Sequence, residues 1–334
     1  MIRCGPGIGI VGTGSYLPER VVGNTEIGAR TGVDPQWIAR KTEILARRYA
    51  AAHEATSDLA AAAARQALDA ARIGPDQVDF LIVSTSTGDS PQPPTACLVQ
   101  RDIGAVRAAC LDINAVCSGF VYGIALAEGL LGQRPGAHAL VVAADLYSRS
   151  LDFGDRRTAV LLGDGAGAAV LGEVPEHRGV LGVDLRTRAD HADLIRVEAG
   201  GSRRPASHAT VDGGGHFFRM EGRAVSDFVH KNVPQTLHEL LDASGVDPSE
   251  VHHLVPHQAN GVLLSQLVDL TLLSQARVHR TLEKYGNTGS AGVAITLDEA
   301  SRSGALRGDD MVLLSTFGGG MSMGSCLMRW VPSN

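Results

Sequence analysis

Short apolar segments rich in β-branched residues alternate with longer segments of helical periodicity along most of the chain. In the first half, the predicted strands are 79–85, 109–113, 138–144 and 166–172, and the predicted helices are 57–73 and 118–132. Strands that are apolar throughout and alternate with helices are typical of parallel sheets buried between helix layers. The chain is therefore predicted to be an α/β protein whose sheets are covered by helices.

The pattern restarts after a polar connection. Residues 173–216 are rich in Arg, His and Gly and are predicted to form loops with a hairpin. Beyond them, the predicted helices are 223–244, 260–272 and 290–302, and the predicted strands are 252–256, 311–316 and 324–331. Pro234 is expected to kink or break the first of these helices. Two comparable patterns indicate an internal duplication, with an N-terminal half at 1–172 and a C-terminal half at 173–334.

The composition argues against several classes of protein. With 30 Lys and Arg against 36 Asp and Glu, the net charge of -6 is unlike that of a general nucleic-acid binder. The sequence contains no run of about 18 apolar residues, so no membrane span is predicted. The apolar patch near the N-terminus is too short and glycine-rich for a signal peptide. The five cysteines form no CxxC or Cys/His zinc pattern. We therefore expect a cytoplasmic protein with reduced thiols, no metal, and neither nucleic acid nor membrane as a partner.

Two glycine-rich segments look like nucleotide loops but lack the required context. Residues 7–12 match G-x-G-x-x-G, yet no strand precedes them and no helix start follows. Residues 163–168 are not followed by the Gly-Lys-Ser/Thr of a P-loop. The first segment is predicted to lie in or beside the first strand, where glycine lets backbones approach closely.

Three residues that could carry chemistry lie on predicted loops. Cys117 precedes a helix opening at Ser118, where the helix dipole is expected to lower the thiol pKa, although a buried structural cysteine is the alternative. His257 follows the strand 252–256, at the end where ligands bind in open α/β sheets, or is a loop histidine without a chemical role. Asn287 precedes another helix, in a glycine-rich loop where a turn asparagine is also common. The three side chains suit thiolate acyl transfer, but their spacing does not show that they meet.

Taken together, the motifs resemble those of the β-ketoacyl-acyl-carrier-protein synthase III family of the thiolase superfamily. The resemblance covers almost the whole chain. Its motifs are GTGSYLPER near the start, NAVCSGF around Cys117, GDGAGAAVL at 163–171, VPHQAN at 255–260, YGNTG at 285–289 and FGGGM at 317–321. The resemblance implies a thiolase-like five-layered αβαβα fold of two duplicated halves, a homodimer, and a triad of Cys117, His257 and Asn287.

Within the family, the chain is similar to the acetoacetyl-CoA synthases of actinomycete isoprenoid clusters. The strings that carry this likeness are ATSDLA (55–60), PQPPTA (91–96), ADLYSR (144–149), DLIRVEAGGSRRP (193–205) and HQANGV (257–262). The likeness implies condensation of malonyl-CoA with acetyl-CoA to acetoacetyl-CoA, through an acetyl-Cys117 intermediate and without a cofactor. The primer chain stays open, because Gln92 replaces a phenylalanine that shapes the acyl pocket across the dimer in the family. The pathway stays open too, since isoprenoid supply and antibiotic biosynthesis are both compatible with the sequence.

The resemblance also assigns roles around the triad. The backbone N–H groups of Cys117 and Gly319 are expected to hold the oxyanion, and His257 and Asn287 to stabilise the enolate formed by decarboxylation. Phe317 matches the family's phenylalanine near the decarboxylation site, where an apolar ring disfavours a carboxylate.

Further residues match those that bind the CoA arm. Trp37 and Arg156 match the pair that sandwiches the adenine. The other implied contacts are Lys41, which replaces the usual arginine, Thr42, Gly222 and Asn260. Two departures are Glu43, which replaces a glycine and puts a negative charge near an anionic ligand, and Arg223, which stands where asparagine is frequent.

Three different functions compete with this one. A synthase that extends with malonyl acyl carrier protein would use a basic docking patch. Here Val262 and Asp227 stand where such enzymes carry an arginine and a lysine, so the carrier protein is the disfavoured partner. The second competing function is acyl transfer from Cys117 without condensation, and the third is a non-catalytic scaffold that binds a partner.

Overall fold

A computed structural model describes residues 7–331 of the chain; Cys4, one of the five cysteines, lies outside them. The strands are β1 (Gly7–Tyr16), β2 (Arg20–Gly23), β3 (Ala46–Tyr49), β4 (Phe80–Ser84), β5 (Ala109–Ile113), β6 (Ala139–Leu146), β7 (Asp164–Val174), β8 (Gly179–Thr187), β9 (Ile195–Val197), β10 (Phe218–Met220), β11 (His253–Pro256), β12 (Arg277–Val278), β13 (Met311–Gly318) and β14 (Ser322–Arg329). The helices are α1 (Asn24–Thr31), α2 (Pro35–Thr42), α3 (Thr56–Ala71), α4 (Thr95–Ile103), α5 (Gly119–Leu131), α6 (Arg156–Ala159), α7 (His208–Asp212), α8 (Gly222–Ser244), α9 (Gly261–Asp269), α10 (Leu282–Tyr285) and α11 (Ala291–Arg302).

The strands form two five-stranded sheets with the same internal plan. The first has the order β1-β7-β6-β4-β5 and the second β8-β14-β13-β11-β12. In each sheet the first three strands pair antiparallel with one another, and the last three pair parallel with one another. The matching order supports the interpretation of two duplicated halves, and their boundary near residue 172 stays a prediction close to the β7–β8 connection.

Three buried clusters hold five layers together. Helix α3 packs on the outer face of the first sheet, where Leu59 and Leu81 share one core. Helices α5 and α11 lie between the two sheets, and Phe120 and Leu297 belong to a second core. Helix α8 covers the outer face of the second sheet, with Leu237 in the third cluster. The predicted five-layered αβαβα fold is confirmed.

Most predicted elements are present, with two corrections in the second half. The connection 173–216 contains the nine-residue edge strand β8, which was not predicted because glycines and charged residues interrupt its apolar pattern. Helix α8 continues through Pro234, so the expected break is absent, whereas the alternative, a kink, stays a prediction. Val233 and Leu237 on either side of Pro234 are buried against the sheet. The glycines of 7–12 lie in β1 as predicted.

No helix described for residues 7–331 combines the length and apolar character needed to cross a membrane.

Candidate active site

A cavity of about 820 Å³ is lined by loops and helices of both halves. It brings together Cys117, His257 and Asn287, which are separated by up to 170 positions in the chain. The predicted substrate-binding residues on its lining are Trp37, Lys41, Thr42, Gly222, Asn260 and Phe317. Arg156, Gly319 and Gln92 are not part of this lining, and both Arg156 and Gln92 are exposed.

Cys117 lies in a single 3-10 turn, Val116–Ser118, that leads directly into α5. Val116 has a φ of 48°, a left-handed conformation that is rare for a β-branched residue and marks a constrained turn. A Cβ added at Gly318 would lie 2.6 Å from the backbone nitrogen of Cys117, so the glycine-rich loop can approach this turn only without a side chain. Cys117 is thereby held between the start of α5 and the end of β13.

The protonation state of Cys117 differs from the expectation. Burial raises the pKa of the Cys117 thiol, and the carboxylate of Asp145 raises it further. The expected lowering of the thiol pKa by the helix dipole is therefore wrong for this chain, because desolvation of the thiolate outweighs the dipole. Before substrate binds, Cys117 is a thiol at neutral pH.

His257 follows β11 and is buried against Phe317. Its backbone N–H donates to Ser315 O at 2.7 Å, which ties it to the neighbouring strand β13. Burial lowers the pKa of His257 to about 4, so the imidazole is neutral at pH 7 and can accept a proton. Its Nδ1 is buried with no hydrogen-bond partner among residues 7–331.

Asn287 is fixed by the segment before β7 and by its own loop. Its backbone N–H donates to Leu161 O at 2.9 Å, and its carbonyl accepts from the N–H of Gly163 at 2.9 Å. The side-chain Oδ1 accepts from the N–H of Gly289 at 3.0 Å. This bond occupies the acceptor end of the amide, so the Nδ2 group is the end left to donate to a ligand.

The turn at Cys117 and the glycine-rich loop after β13 are joined by Ser322. Its hydroxyl lies 3.1 Å from Ala115 O, 3.1 Å from Gly319 O and 3.0 Å from Ser118 Oγ. A Cβ added at Gly319 would lie 3.3 Å from Cγ2 of Val116, so this backbone and the cysteine turn are in contact range.

The mouth of the cavity carries the predicted adenine pair. Arg156 places its guanidinium carbon 6.0 Å from the ring centroid of Trp37. A flat ring inserted between the indole and the guanidinium needs a separation of about 7 Å between them, twice the van der Waals contact distance. A small outward movement of the exposed Arg156 would therefore admit adenine.

Two predicted contacts are already occupied by the protein itself. The Thr42 hydroxyl donates to Ile38 O at 2.7 Å and accepts from the N–H of Ile44 at 3.1 Å. Asn260 caps α9 by accepting from the N–H of Leu263, and its Nδ2 donates to Lys41 O at 3.2 Å. Both residues shape the cavity mouth before any ligand binds.

Two family models match the chain. They describe 3-oxoacyl-acyl-carrier-protein synthase III over residues 111–189 and the C-terminal part of the same family over residues 241–330. A curated acetoacetyl CoA synthase of Streptomyces sp. (strain CL190) is 51% identical over 96% of this chain and 98% of its own length.

The chain belongs to the 3-oxoacyl-acyl-carrier-protein synthase III family.

Membership makes the protein an acyltransferase of the condensing type. A second member, the β-ketoacyl-acyl-carrier-protein synthase III of Caldanaerobacter subterraneus, is 41% identical over 96% of this chain and 97% of its own length. The crystal structure of the synthase III of Pseudomonas aeruginosa superposes with a TM-score of 0.89 at 36% identity, covering 97% of this chain and 98% of that one. The thiolase-like fold therefore holds over nearly the whole chain.

This synthase contains a buried acid that the sequence analysis did not single out. The Asp145 carboxylate accepts from the N–H and hydroxyl of Ser86 at 2.9 and 3.1 Å, and from the N–H and hydroxyl of Ser290, both at 2.7 Å. Gly289 passes so close that an added Cβ would clash with Asp145 Oδ2. Asp145 thus links the end of β6 to the Asn287 loop across the two halves. The sequence signal for Asp145 is the string ADLYSR, which contains it, but this string does not predict that the carboxylate is buried.

The synthase also carries several cations at the cavity mouth. Lys41, Arg157 and Arg223 line it, and none of the three forms an ion pair with another residue in the described part of the chain. Within 7–331, no group of three or more His, Cys, Asp or Glu side chains could hold a metal ion.

Proposed function

We propose that this synthase condenses malonyl-CoA with acetyl-CoA to acetoacetyl-CoA, with loss of CO2, through acetyl-Cys117. The observation that carries the proposal is the single cavity lined by Cys117, His257 and Asn287, in a chain whose curated relative at 51% identity is an acetoacetyl CoA synthase. A nucleophilic thiol beside a neutral imidazole and an amide donor suits acyl transfer followed by carbon–carbon bond formation.

The first step acetylates Cys117. Because the Cys117 pKa is raised and the His257 pKa is lowered, both groups start neutral, and the thiol proton moves to His257 as sulfur attacks the acetyl carbonyl. The backbone N–H groups of Cys117 and Gly319 then stabilise the oxyanion. The C–S bond to CoA breaks, and the proton on His257 passes to the departing CoA sulfur.

The second step forms the enolate. The thioester carbonyl of malonyl-CoA accepts hydrogen bonds from His257 and from Asn287 Nδ2. The bond to the carboxylate breaks, CO2 leaves, and its electron pair enters the enolate. The apolar Phe317 ring disfavours the carboxylate in the ground state. The carbanion attacks the carbonyl of acetyl-Cys117, and the C–S bond breaks as acetoacetyl-CoA forms. The cysteine leaves as a thiolate and takes up a proton from solvent, which restores the thiol.

The cavity mouth would hold the CoA arm. The unpaired cations Lys41, Arg157 and Arg223 suit the phosphates of CoA, and Trp37 with Arg156 suits the adenine. Gly222 leaves open space next to the pantetheine path, since an added Cβ there would meet only Met220 Cε at 3.8 Å.

The alternative extender is malonyl acyl carrier protein, and membership of the synthase III family favours this second candidate. Val262 and the exposed Asp227 both line the cavity mouth. The rim therefore carries no cation at either position, and it carries an anion at Asp227. An acidic carrier docks best on a cationic rim. This arrangement favours free malonyl-CoA.

We further propose a homodimer that acts in the cytoplasm without a metal or cofactor. Strand β5 is an edge of the first sheet, and its outer side has no strand partner within the described residues. A second copy could pair along this edge and extend the sheet. Light scattering after size exclusion tests the dimer. The condensation itself is redox-neutral and proceeds on thioesters that already supply the activated carbonyls.

Purified protein incubated with labelled acetyl-CoA and malonyl-CoA tests the main proposal. We expect acetoacetyl-CoA and CO2 in equal amounts, with a mass increase of one acetyl group on the Cys117 peptide before malonyl-CoA is added. Cys117→Ala should lose both signals, by at least about a thousand-fold in rate. Acetyl transfer to an amine or hydroxyl without CO2 release would indicate an acyltransferase that does not condense. A wild-type chain that is never acetylated would indicate a scaffold.

A further inference from the structure

Glu43 stands out because its backbone is strained and its side chain is paired. It ends α2 with φ 59° and ψ 9°, the left-handed conformation in which glycine is favoured. A glutamate at such a position costs more backbone free energy than glycine would, which a favourable contact of its side chain can offset. The structure contains that contact, an ion pair between the Glu43 carboxylate and the guanidinium of Arg280.

Arg280 is the centre of a small network. Besides Glu43, its guanidinium contacts Glu283 Oε1 at 2.9 Å and donates to Ser265 Oγ at 3.2 Å. Ser265 belongs to α9, so one guanidinium connects the end of α2 to the body of α9. The negative charge that was expected to oppose an anionic ligand is therefore neutralised within the protein.

The network holds two walls of the cavity together. Glu43 lies directly over the first turn of α9, since a Cβ added at Gly261 would lie 2.5 Å from the Cβ of Glu43. Next to it, Asn260 Nδ2 bonds Lys41 O at 3.2 Å. On one wall α2 presents Trp37 and Lys41, and on the other α9 presents Leu263 to the same cavity.

We propose that Glu43 is a positioning residue that sets the distance between α2 and α9 and so preorganises the mouth for the CoA arm. The inference rests on the proposed use of CoA thioesters. Glu43 does not line the cavity itself. Its effect is therefore expected on CoA binding and not on the chemical steps at Cys117.

Two variants separate positioning from general stability. Glu43→Gln removes the charge and keeps the size. Glu43→Gly removes the side chain and also the backbone strain, so its melting temperature should be equal or higher while the mouth loosens. The matched control is Asp309→Gly, because Asp309 also has a left-handed backbone, φ 70°, and pairs with an arginine, Arg178, at 2.8 Å. This second pair lies outside the cavity.

The measurement is the rate of Cys117 acetylation as a function of substrate concentration. With acetyl-CoA, both Glu43 variants should raise the half-saturating concentration by about three- to five-fold, the size expected for a partly exposed ion pair, and leave the maximal rate unchanged. With the acetyl thioester of N-acetylcysteamine, which has no nucleotide, wild type and variants should react alike. Asp309→Gly should match the wild type with both substrates.

Calorimetric binding of CoA provides the independent readout. We expect the same three- to five-fold rise in Kd for both Glu43 variants. Unchanged half-saturation and unchanged Kd in Glu43→Gly would overturn the proposal, as would an equal loss with the short thioester. If the wild type binds CoA but is never acetylated, the proposed function fails, and the ratio of Kd values still decides the role of Glu43. A wild type that binds no CoA overturns the positioning role.

Discussion

The ring of Phe317 stands edge-on to the imidazole of His257, with ring centroids 4.9 Å apart and ring planes at 84°. The contact follows from strand register, because β11 and β13 are parallel neighbours in which Pro256 faces Ser315. His257 follows Pro256 by one position and Phe317 follows Ser315 by two, so the two residues lie at the same end of the paired segment. The apolar ring thereby shields the imidazole from water and contributes to the burial that keeps it neutral.

Replacing Phe317 with Leu should slow malonyl decarboxylation by about ten-fold, equivalent to about 1.4 kcal/mol, because the smaller side chain admits water to the carboxylate. Acetylation of Cys117 should change by much less. The measurement is labelled CO2 release against mass-spectrometric acetylation. Phe80→Leu, in β4 outside the cavity, is the control and should leave both rates near those of the wild type. Equal losses in the two rates would contradict a role specific to decarboxylation.

Asn287→Ala and His257→Ala should separate the two steps. Loss of an oxyanion donor typically costs about 10²–10³ in rate, so both variants should lose decarboxylation to that extent. His257→Ala should also slow acetylation, because the neutral imidazole takes the thiol proton, whereas Asn287→Ala should acetylate nearly normally. Asn232→Ala in α8, outside the cavity, serves as the control. Normal acetylation in His257→Ala would assign the thiol proton to another acceptor.

The raised pKa of Cys117 has a direct consequence for alkylation. With a pKa above that of an ordinary cysteine, the thiolate fraction is small at pH 7 and grows throughout the alkaline range. Iodoacetamide labelling of the Cys117 peptide should therefore accelerate from pH 7 to 9 without a plateau. Asp145→Asn should label faster at pH 8, since one source of the raised pKa is removed. A plateau below pH 8 in the wild type would show a lowered pKa instead.

Acid should destabilise the fold through its buried histidines. The pKa of His257 and that of His279 are both lowered to about 4 by burial, so between pH 6.5 and 4 the unfolded chain binds more protons than the folded one. Their contribution is complete above pH 6.5 and is lost as the pH falls toward 4. For His257 the loss is roughly 2 kcal/mol between pH 6.5 and 5. Denaturant unfolding of His257→Gln should show a correspondingly shallower pH dependence, and an identical slope would contradict this assignment.

Charge at the cavity mouth should decide the extender. We expect wild-type kcat/KM to be higher with malonyl-CoA than with malonyl acyl carrier protein, because the exposed Asp227 repels an acidic carrier. The double variant Val262→Arg, Asp227→Lys should raise carrier-protein activity several-fold at low salt and less at high salt. The control makes the same charge change on a distant surface, with Val106→Arg and Asp69→Lys. Wild-type preference for the carrier protein would return the chain to fatty-acid or polyketide initiation.

Local pattern is sufficient to predict most of the framework. The predicted strand 109–113 has the bounds of β5, and the predicted helix 290–302 differs from α11 by one residue. Helix α11 is long and mostly buried, so its apolar pattern is easily recognised, whereas β5 is a short β-branched and apolar run between polar segments. Strand β8 is not predicted because it lies at a sheet edge with one face toward solvent, and its glycines and charges hide the alternation.

From the residues alone, the candidate triad is predicted as three side chains on separate loops. The expectation that these side chains meet comes from the family resemblance. Cys117, His257 and Asn287 each follow a strand or precede a helix, which the sequence states by itself. Their meeting depends on both sheets packing on α5 and α11, and no local signal encodes that arrangement.

The sequence by itself determined the alternation of strands and helices, the positions of the three loops and the small residues that let them approach. Tertiary structure alone decided the charge states and the contacts. The helix start predicts a lowered pKa at Cys117, whereas desolvation by burial and the nearby Asp145 raise it. Glu43 looks misplaced in the chain, and only Arg280, 237 positions away, explains it. Desolvation and ion pairing depend on which distant segments surround a group in space, and sequence distance carries no record of that.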